Sequence, residues 1–271
     1  MFVIPAGGAG GGARAWTVEQ FPRYHQLYDF SAVGTGSAND LCFSPDGTHL
    51  FLLRAKLFRY DLSTAWDIST ASYVHNASVA GTTPSSVDFS PDGTKFLIIS
   101  HNDAVWRHYT CSTPWDLTTA SAGSTVTRVN CQSARFASAG TKLVVGDSSA
   151  TGTLGQYPLS TPYDVSSAGS AEHTTATIGD YRGLAGYDPT GTKLFGLNYG
   201  DENIDQFTLS TPFDLSTINT TPAQEYTITS TSPVINSPTG LFIDPDGANA
   251  FVTCASIYNL FQFVIGGEIT A

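Results

Sequence analysis

The chain has 271 residues, 41% hydrophobic and only 13% charged, with 23 acidic against 12 basic side chains and a formal charge of −11. That length can bury a sizeable core as a single domain. Sparse Lys and Arg disfavour a phosphate-backbone binder, which needs clustered basic groups, so no nucleic-acid partner is expected.

The chain begins MFVIPAGGAGGGARA. Its apolar run is too short for a secretory signal, and no run is long enough to cross a membrane as a helix, so neither conventional secretion nor membrane insertion is expected. Gly7 to Gly12 form a flexible tract, readable as a disordered tail or as a tether that docks on a partner. Residues 1–22 are therefore assigned as an anchoring segment and residues 23–271 as the folded domain. Residues 24–32 have the look of a strand that precedes the first inner strand at Leu41.

From Phe43 a phrase recurs: FSPDGT at 43–48 and 89–94, FASAGT at 136–141, YDPTGT at 187–192 and IDPDGA at 243–248. The glycines Gly47, Gly93, Gly140, Gly191 and Gly247 are 46, 47, 51 and 56 residues apart, a period that signals a repeat architecture. Pro45 and Asp46 suit the centre of a type I turn, and Gly47 supplies the left-handed residue after it, so the phrase is a hairpin. A second phrase alternates with it: LSTAWDI from Leu62, CSTPWDL from Cys111, LSTPYDV from Leu159 and LSTPFDL from Leu209. Thr113, Pro114, Trp115 and Asp116 fit the N-cap, N1, N2 and N3 positions of a single helical turn at a corner between strands. Short apolar or alternating runs at 49–53, 57–62, 73–79 and 86–89 complete about four strands per unit.

Five such units predict an all-β fold, a five-bladed β-propeller with four antiparallel strands per blade. The last unit has strands near Leu241, Ala250 and Leu260 and no outer strand, so the segment at 24–32 is predicted to complete it. The phrase pair resembles tandem propeller repeats in structural proteins of tailed bacteriophages, over roughly residues 24–265. The third copy departs from the pattern at Ala137, Ser138 and Ala139, and the fifth lacks LSTPWDL. The resemblance implies a virion protein that contacts other virion proteins through its N-terminal segment.

Strand alternation places the hairpins and corners on one uniform face and the remaining loops on a variable one. The candidate ligand-binding residues are on the variable face: Arg54, His101, Asp103, Asp180, Tyr181, Arg182, Tyr199, Asp201, Glu202, Tyr258 and Asn259. Aromatics beside planar polar groups suit a sugar, whose C–H faces stack on rings while carboxylates, amides and guanidinium bridge hydroxyls. The leading expectation is a non-enzymatic, tail-associated adhesin recognising a host-surface glycan, displayed in several copies. A capsid or tail decoration protein making only protein–protein contacts is the alternative, and a glycan-degrading enzyme the second.

Glycoside cleavage requires a carboxyl acid and a base or nucleophile. The matching inner-strand positions are Cys42, Asp88, Arg135, Gly186 and Phe242, where Arg135 is expected to pair with Asp88 and spare it a raised pKa; Asp40 is a further carboxylate at another level. No catalytic residue, metal site or cofactor is assigned, because the six histidines lack ligand spacing and no GxSxG occurs. Asp67, Asp116, Asp164 and Asp214 recur in every corner and are expected to cap local turns. Trp66, Trp115, Tyr163 and Phe213 are expected to wedge between blades. The four cysteines are expected to be free, buried thiols.

Overall fold

The structure is a computed structural model that describes residues 23–33, 36–79, 81–129, 131–147, 152–228, 235, 237–255 and 258–264. The segment 1–22 lies outside them, as do Ser148 and Ser149 of one variable loop and Ser256 and Ile257 of another.

The described residues form five antiparallel four-stranded sheets. Blade 1 holds β2 (Asp40–Phe43), β3 (His49–Leu53), β4 (Leu57–Leu62) and β5 (Ala71–Ala77), ordered from the axis outward. Blade 2 holds β6 (Pro84–Phe89), β7 (Lys95–Ser100), β8 (Val105–Cys111) and β9 (Ala120–Thr127). Blade 3 follows with β10 (Cys131–Ala137), β11 (Lys142–Asp147), β12 (Leu154–Pro158) and the two-residue β13 (His173–Thr174). Blade 4 is β14 (Tyr181–Tyr187), β15 (Lys193–Asn198), β16 (Asn203–Thr208) and β17 (Gln224–Thr227). Blade 5 takes β18 (Pro238–Ile243), β19 (Asn249–Cys254) and β20 (Asn259–Val264) from the end of the chain and β1 (Arg23–Asp29) from its beginning. The five-bladed propeller read from the repeats is therefore the fold, closed by the N-terminal strand. Leu27 pairs with Phe261 and Tyr28 with Leu260 across the closure, and Gln26 Nε2 donates to Gln262 Oε1 at 2.8 Å. The predicted strand overruns its end, because residues 31–33 turn into a short 3-10 helix after Phe30 is buried.

Each hairpin phrase is stapled by its own side chains. Asp46 Oδ1 accepts from Ser44 Oγ at 2.6 Å, Thr48 N at 3.1 Å and Thr48 Oγ1 at 2.9 Å, and Asp92 repeats the set with Ser90 and Thr94. In blades 4 and 5 a carboxylate at the Ser44 position takes over: Asp188 accepts from Lys193 N and Asp244 from Ala248 N. The degenerate third hairpin still closes, with Ser138 and Ala139 both at positive φ.

The helical turn at the corner starts three residues later than predicted, capped by Asp116 and not by Thr113. Asp116 is the cap itself, its carboxylate accepting from Thr118 N, and the 3-10 turn is Leu117–Thr119. Asp67, Asp164 and Asp214 cap their corners in the same way. Trp66, Trp115, Tyr163 and Phe213, one residue earlier, all take the left-handed conformation, φ 55–65°. That uncommon backbone lays each ring on the hairpin glycine of its own blade: a Cβ on Gly93 would lie 2.3 Å from Trp115, and one on Gly47 2.3 Å from Trp66. Trp115 also packs at 5.4 Å from Phe89 and 5.9 Å from Phe51 of the preceding blade, which makes the first two corner aromatics the wedges expected of them; Trp66 likewise meets Phe242 and Phe251 of blade 5. All four cysteines are free and buried.

Candidate functional site

The variable face brings some predicted residues together and removes others. Arg182, Tyr199 and Asp180 form one cluster: the guanidinium carbon lies 3.6 Å from the Tyr199 ring centroid, and Arg182 Nε donates to Asp180 Oδ2 at 3.0 Å. The Tyr199 backbone N–H donates to the Asp180 carbonyl at 2.8 Å, fixing the two loops against each other. Exposed Asp201 stands beside them, held by Asn198 Nδ2 at 2.8 Å. Buried Asp180 Oδ1 has no hydrogen-bond partner among the described residues.

Tyr181 does not belong to this surface. It is fully buried and its hydroxyl donates to Asp205 Oδ2 at 2.7 Å; burial, against the lowering pull of that hydrogen bond, holds the Asp205 carboxyl up at about 6. Arg54 is likewise core, 1% exposed, with Nε on the Gly36 carbonyl and its guanidinium 5.0 Å from both the Phe30 and Phe58 rings. Asp103 is a loop fastener: Ser100 Oγ, Thr82 N and Thr82 Oγ1 donate to it and hold its carboxyl down at about 2. His101 lies in the same blade 2 loop, its N–H on the Thr83 carbonyl. Glu202 accepts from Ser237 N at 3.3 Å. Tyr258 is exposed, edge-on to Phe30 at 6.5 Å, and Asn259 opens β20 opposite Asp29.

The axis holds what the sequence reading missed. Arg135 does not pair with Asp88. Its two terminal nitrogens reach Asp40, Nη1 to Oδ2 and Nη2 to Oδ1, each at 2.8 Å. They also donate to the carbonyls of Leu41, Val87, Ala134 and Leu241, so one guanidinium ties the inner strands of four blades. Asp40 further accepts from Ser86 Oγ and Val87 N. Burial would lower the Arg135 pKa, but the Asp40 charge outweighs it and raises it.

Above this plug, on the hairpin face, a cavity of about 380 Å³ opens, with Asp88 and Arg135 among its lining residues. Its walls are aromatic and proline side chains from the repeats, among them Phe89, Trp115, Phe136, Tyr163, Tyr187 and Phe242. Asp88 keeps partial exposure, and Phe136 N donates to its Oδ2 at 2.8 Å. Burial raises its carboxyl to about 6, against the lowering pull of Arg135. The aromatic residue ahead of each of the first four hairpins was the available signal, legible only once the hairpins are known to ring an opening. Among the described residues no group of three His, Cys, Asp or Glu side chains is arranged to hold a metal ion, and no helix is long and apolar enough to cross a membrane.

No family model and no curated protein matches the chain. Among solved structures it is similar to Kuenenia stuttgartiensis hydrazine synthase, with a TM-score of 0.50 at 10% identity over 85% of this chain and 96% of that one. It is also similar to a Bacteroides uniformis protein provisionally named a 6-phosphogluconolactonase (TM-score 0.49, 13% identity, 71% of this chain and 55% of that one). A third is a Lactobacillus plantarum protein (TM-score 0.46, 18% identity, 69% and 54%). The chain spans about half the length of the latter two. At these identities the likeness concerns the fold alone.

Proposed function

We propose that the protein is a non-enzymatic recognition propeller of a phage virion, a tail-associated adhesin that binds a host-surface glycan through the blade 4 loops. The observation that carries this reading is the Arg182–Tyr199 stack, braced by Asp180 and flanked by Asp201. Arg182 is oriented through Nε, which leaves the planar fork of its terminal nitrogens to bridge adjacent hydroxyls, and the neighbouring carboxylates accept from others. The virion assignment rests on the paired repeat phrases, with the N-terminal segment as the attachment to other virion proteins. Multivalent display would offset weak binding at one site.

A glycan array probed with the wild-type protein and with an Arg182→Ala/Tyr199→Ala variant tests this. Binding lost in the variant supports it; equal binding by both, or none by either, removes it.

The decoration reading draws on one observation. Leu27 on β1 and Tyr73 and Val74 on β5 are 38%, 39% and 43% exposed on the outer strands of the adjoining blades 5 and 1, an apolar rim suited to a neighbouring subunit. Turnover chemistry has less support: Asp88 has the acidity of a general acid, but Asp40 is engaged by Arg135.

A further inference from the structure

The hairpin face lies opposite the loops assigned to glycan recognition, and its cavity makes a separate chemical demand. The wall is built from ring pairs, Phe89 with Trp115 at 5.4 Å, Phe136 with Tyr163 at 5.1 Å and Tyr187 with Phe213 at 5.5 Å. Three charged side chains, Asp88, Arg135 and Asp188, line it with the rings; Asp188 is buried and turned to its own hairpin, where Thr190 Oγ1 and Lys193 N donate to it. The Arg135 charge is matched by the bidentate Asp40 carboxylate. Asp88 is partly exposed and has only backbone donors, so when ionised it presents an uncompensated negative charge to the cavity. A neutral sugar would find few hydroxyl partners on such walls. A cation with an apolar shell would find ring faces for its methyl groups and a carboxylate for its charge.

We infer that the axial cavity on the hairpin face is a binding site for an organic ammonium ion, with Asp88 as counter-ion and the blade 2 to blade 4 aromatics as the cage. The inference is independent of the glycan reading, since it uses none of the loop residues. A volume of about 380 Å³ admits a trimethylammonium group with part of its attached chain.

The charged and titratable groups around Asp88 and on the cavity wall are Arg135, Asp40 and Asp188, the Cys42 thiol and the Tyr187 hydroxyl, which burial pushes up, and the Tyr163 hydroxyl, raised by burial and by Asp88 itself. Of these, Asp88 is the one with a value near 6. Affinity for the cation should therefore be full above that pH and fall below it, as the carboxylate takes up a proton.

The test is calorimetric titration of the full chain with choline, with its uncharged carbon isostere 3,3-dimethyl-1-butanol, and with methyl glucoside. Choline is expected to bind at least tenfold more tightly than the isostere at pH 7.5, and to lose that preference at pH 5 and in Asp88→Asn. This substitution keeps the shape of the side chain. The Arg182→Ala/Tyr199→Ala variant should bind choline as the wild type does. Equal affinity for choline and its isostere, tighter binding of methyl glucoside, no binding of any probe, or an undiminished preference in Asp88→Asn would each overturn the inference.

Discussion

Replacing Asp40 with Ala should be among the most damaging single changes in the chain. Asp40 is 1% and Arg135 3% exposed, and their carboxylate and guanidinium meet through two bonds of 2.8 Å. Removing the carboxylate leaves a buried cation whose direct partners are backbone carbonyls and the Ser86 hydroxyl, and strips Ser86 Oγ and Val87 N of an acceptor. Breaking one partner out of a buried pair costs about 3–5 kcal/mol, a large part of the roughly 5–15 kcal/mol that holds a domain together. Equilibrium urea denaturation measures this as a lower midpoint at unchanged slope. The double variant Asp40→Leu/Arg135→Met, which removes both charges, should recover most of the loss. A loss under about 1 kcal/mol in Asp40→Ala, or a double variant no more stable than the single one, would refute the reasoning that the plug is a buried, mutually dependent pair.

Gly93→Ala should destabilise by about 2–5 kcal/mol, from about 1–2 for a side chain in the left-handed region and about 1–3 for displacing Trp115 from its seat; denaturant midpoints read it, and a neutral result would deny that the ring rests on the glycine. The raised Asp88 carboxyl has a pH signature. Its folded value near 6 lies above the 3.8 of an unperturbed side chain, so the folded state holds the extra proton and stability should fall as pH rises from about 4 to about 6, by on the order of 3 kcal/mol. Asp88→Asn should flatten that part of the curve in denaturation series across pH. Removal of residues 1–29 strips β20 of its outer partner, so the truncated chain should melt lower and self-associate on size exclusion, and it should recover on addition of a peptide spanning residues 23–33. A monomer of unchanged melting temperature would contradict closure by β1.

The blade count, the strand order and the closure were legible in the chain because each rests on local chemistry: a hairpin phrase met five times, a capping Asp met four times, and an unmatched first strand. What was not legible depended on residues distant in sequence. Trp115 was placed in a helical turn because Pro114 suits N1 and Asp116 suits N3; its seat on Gly93, twenty-two residues earlier, holds it instead at a positive φ that is uncommon for an aromatic residue. Arg54 read as an exposed loop cation, yet Phe30, which follows the closing strand, covers it. Tyr181 read as a loop aromatic, and Asp205, two strands away in the same blade, draws its hydroxyl inward. Arg135 was matched with Asp88 because the two share a position in the repeat, whereas its long side chain reaches another level of the axis, to Asp40. In the loop set, Arg182, Tyr199, Asp180 and Asp201 came together because two neighbouring loops of one blade supply all four.

Amide hydrogen exchange with and without a glycan captured from the array tests the central claim most directly, since it reports where on the propeller the ligand sits. The account predicts slowed exchange at residues 180–182 and 198–202, with the hairpins at 45–48, 91–94, 138–141 and 189–192 unchanged. Protection confined to those hairpins, or no glycan that protects any segment, would contradict it.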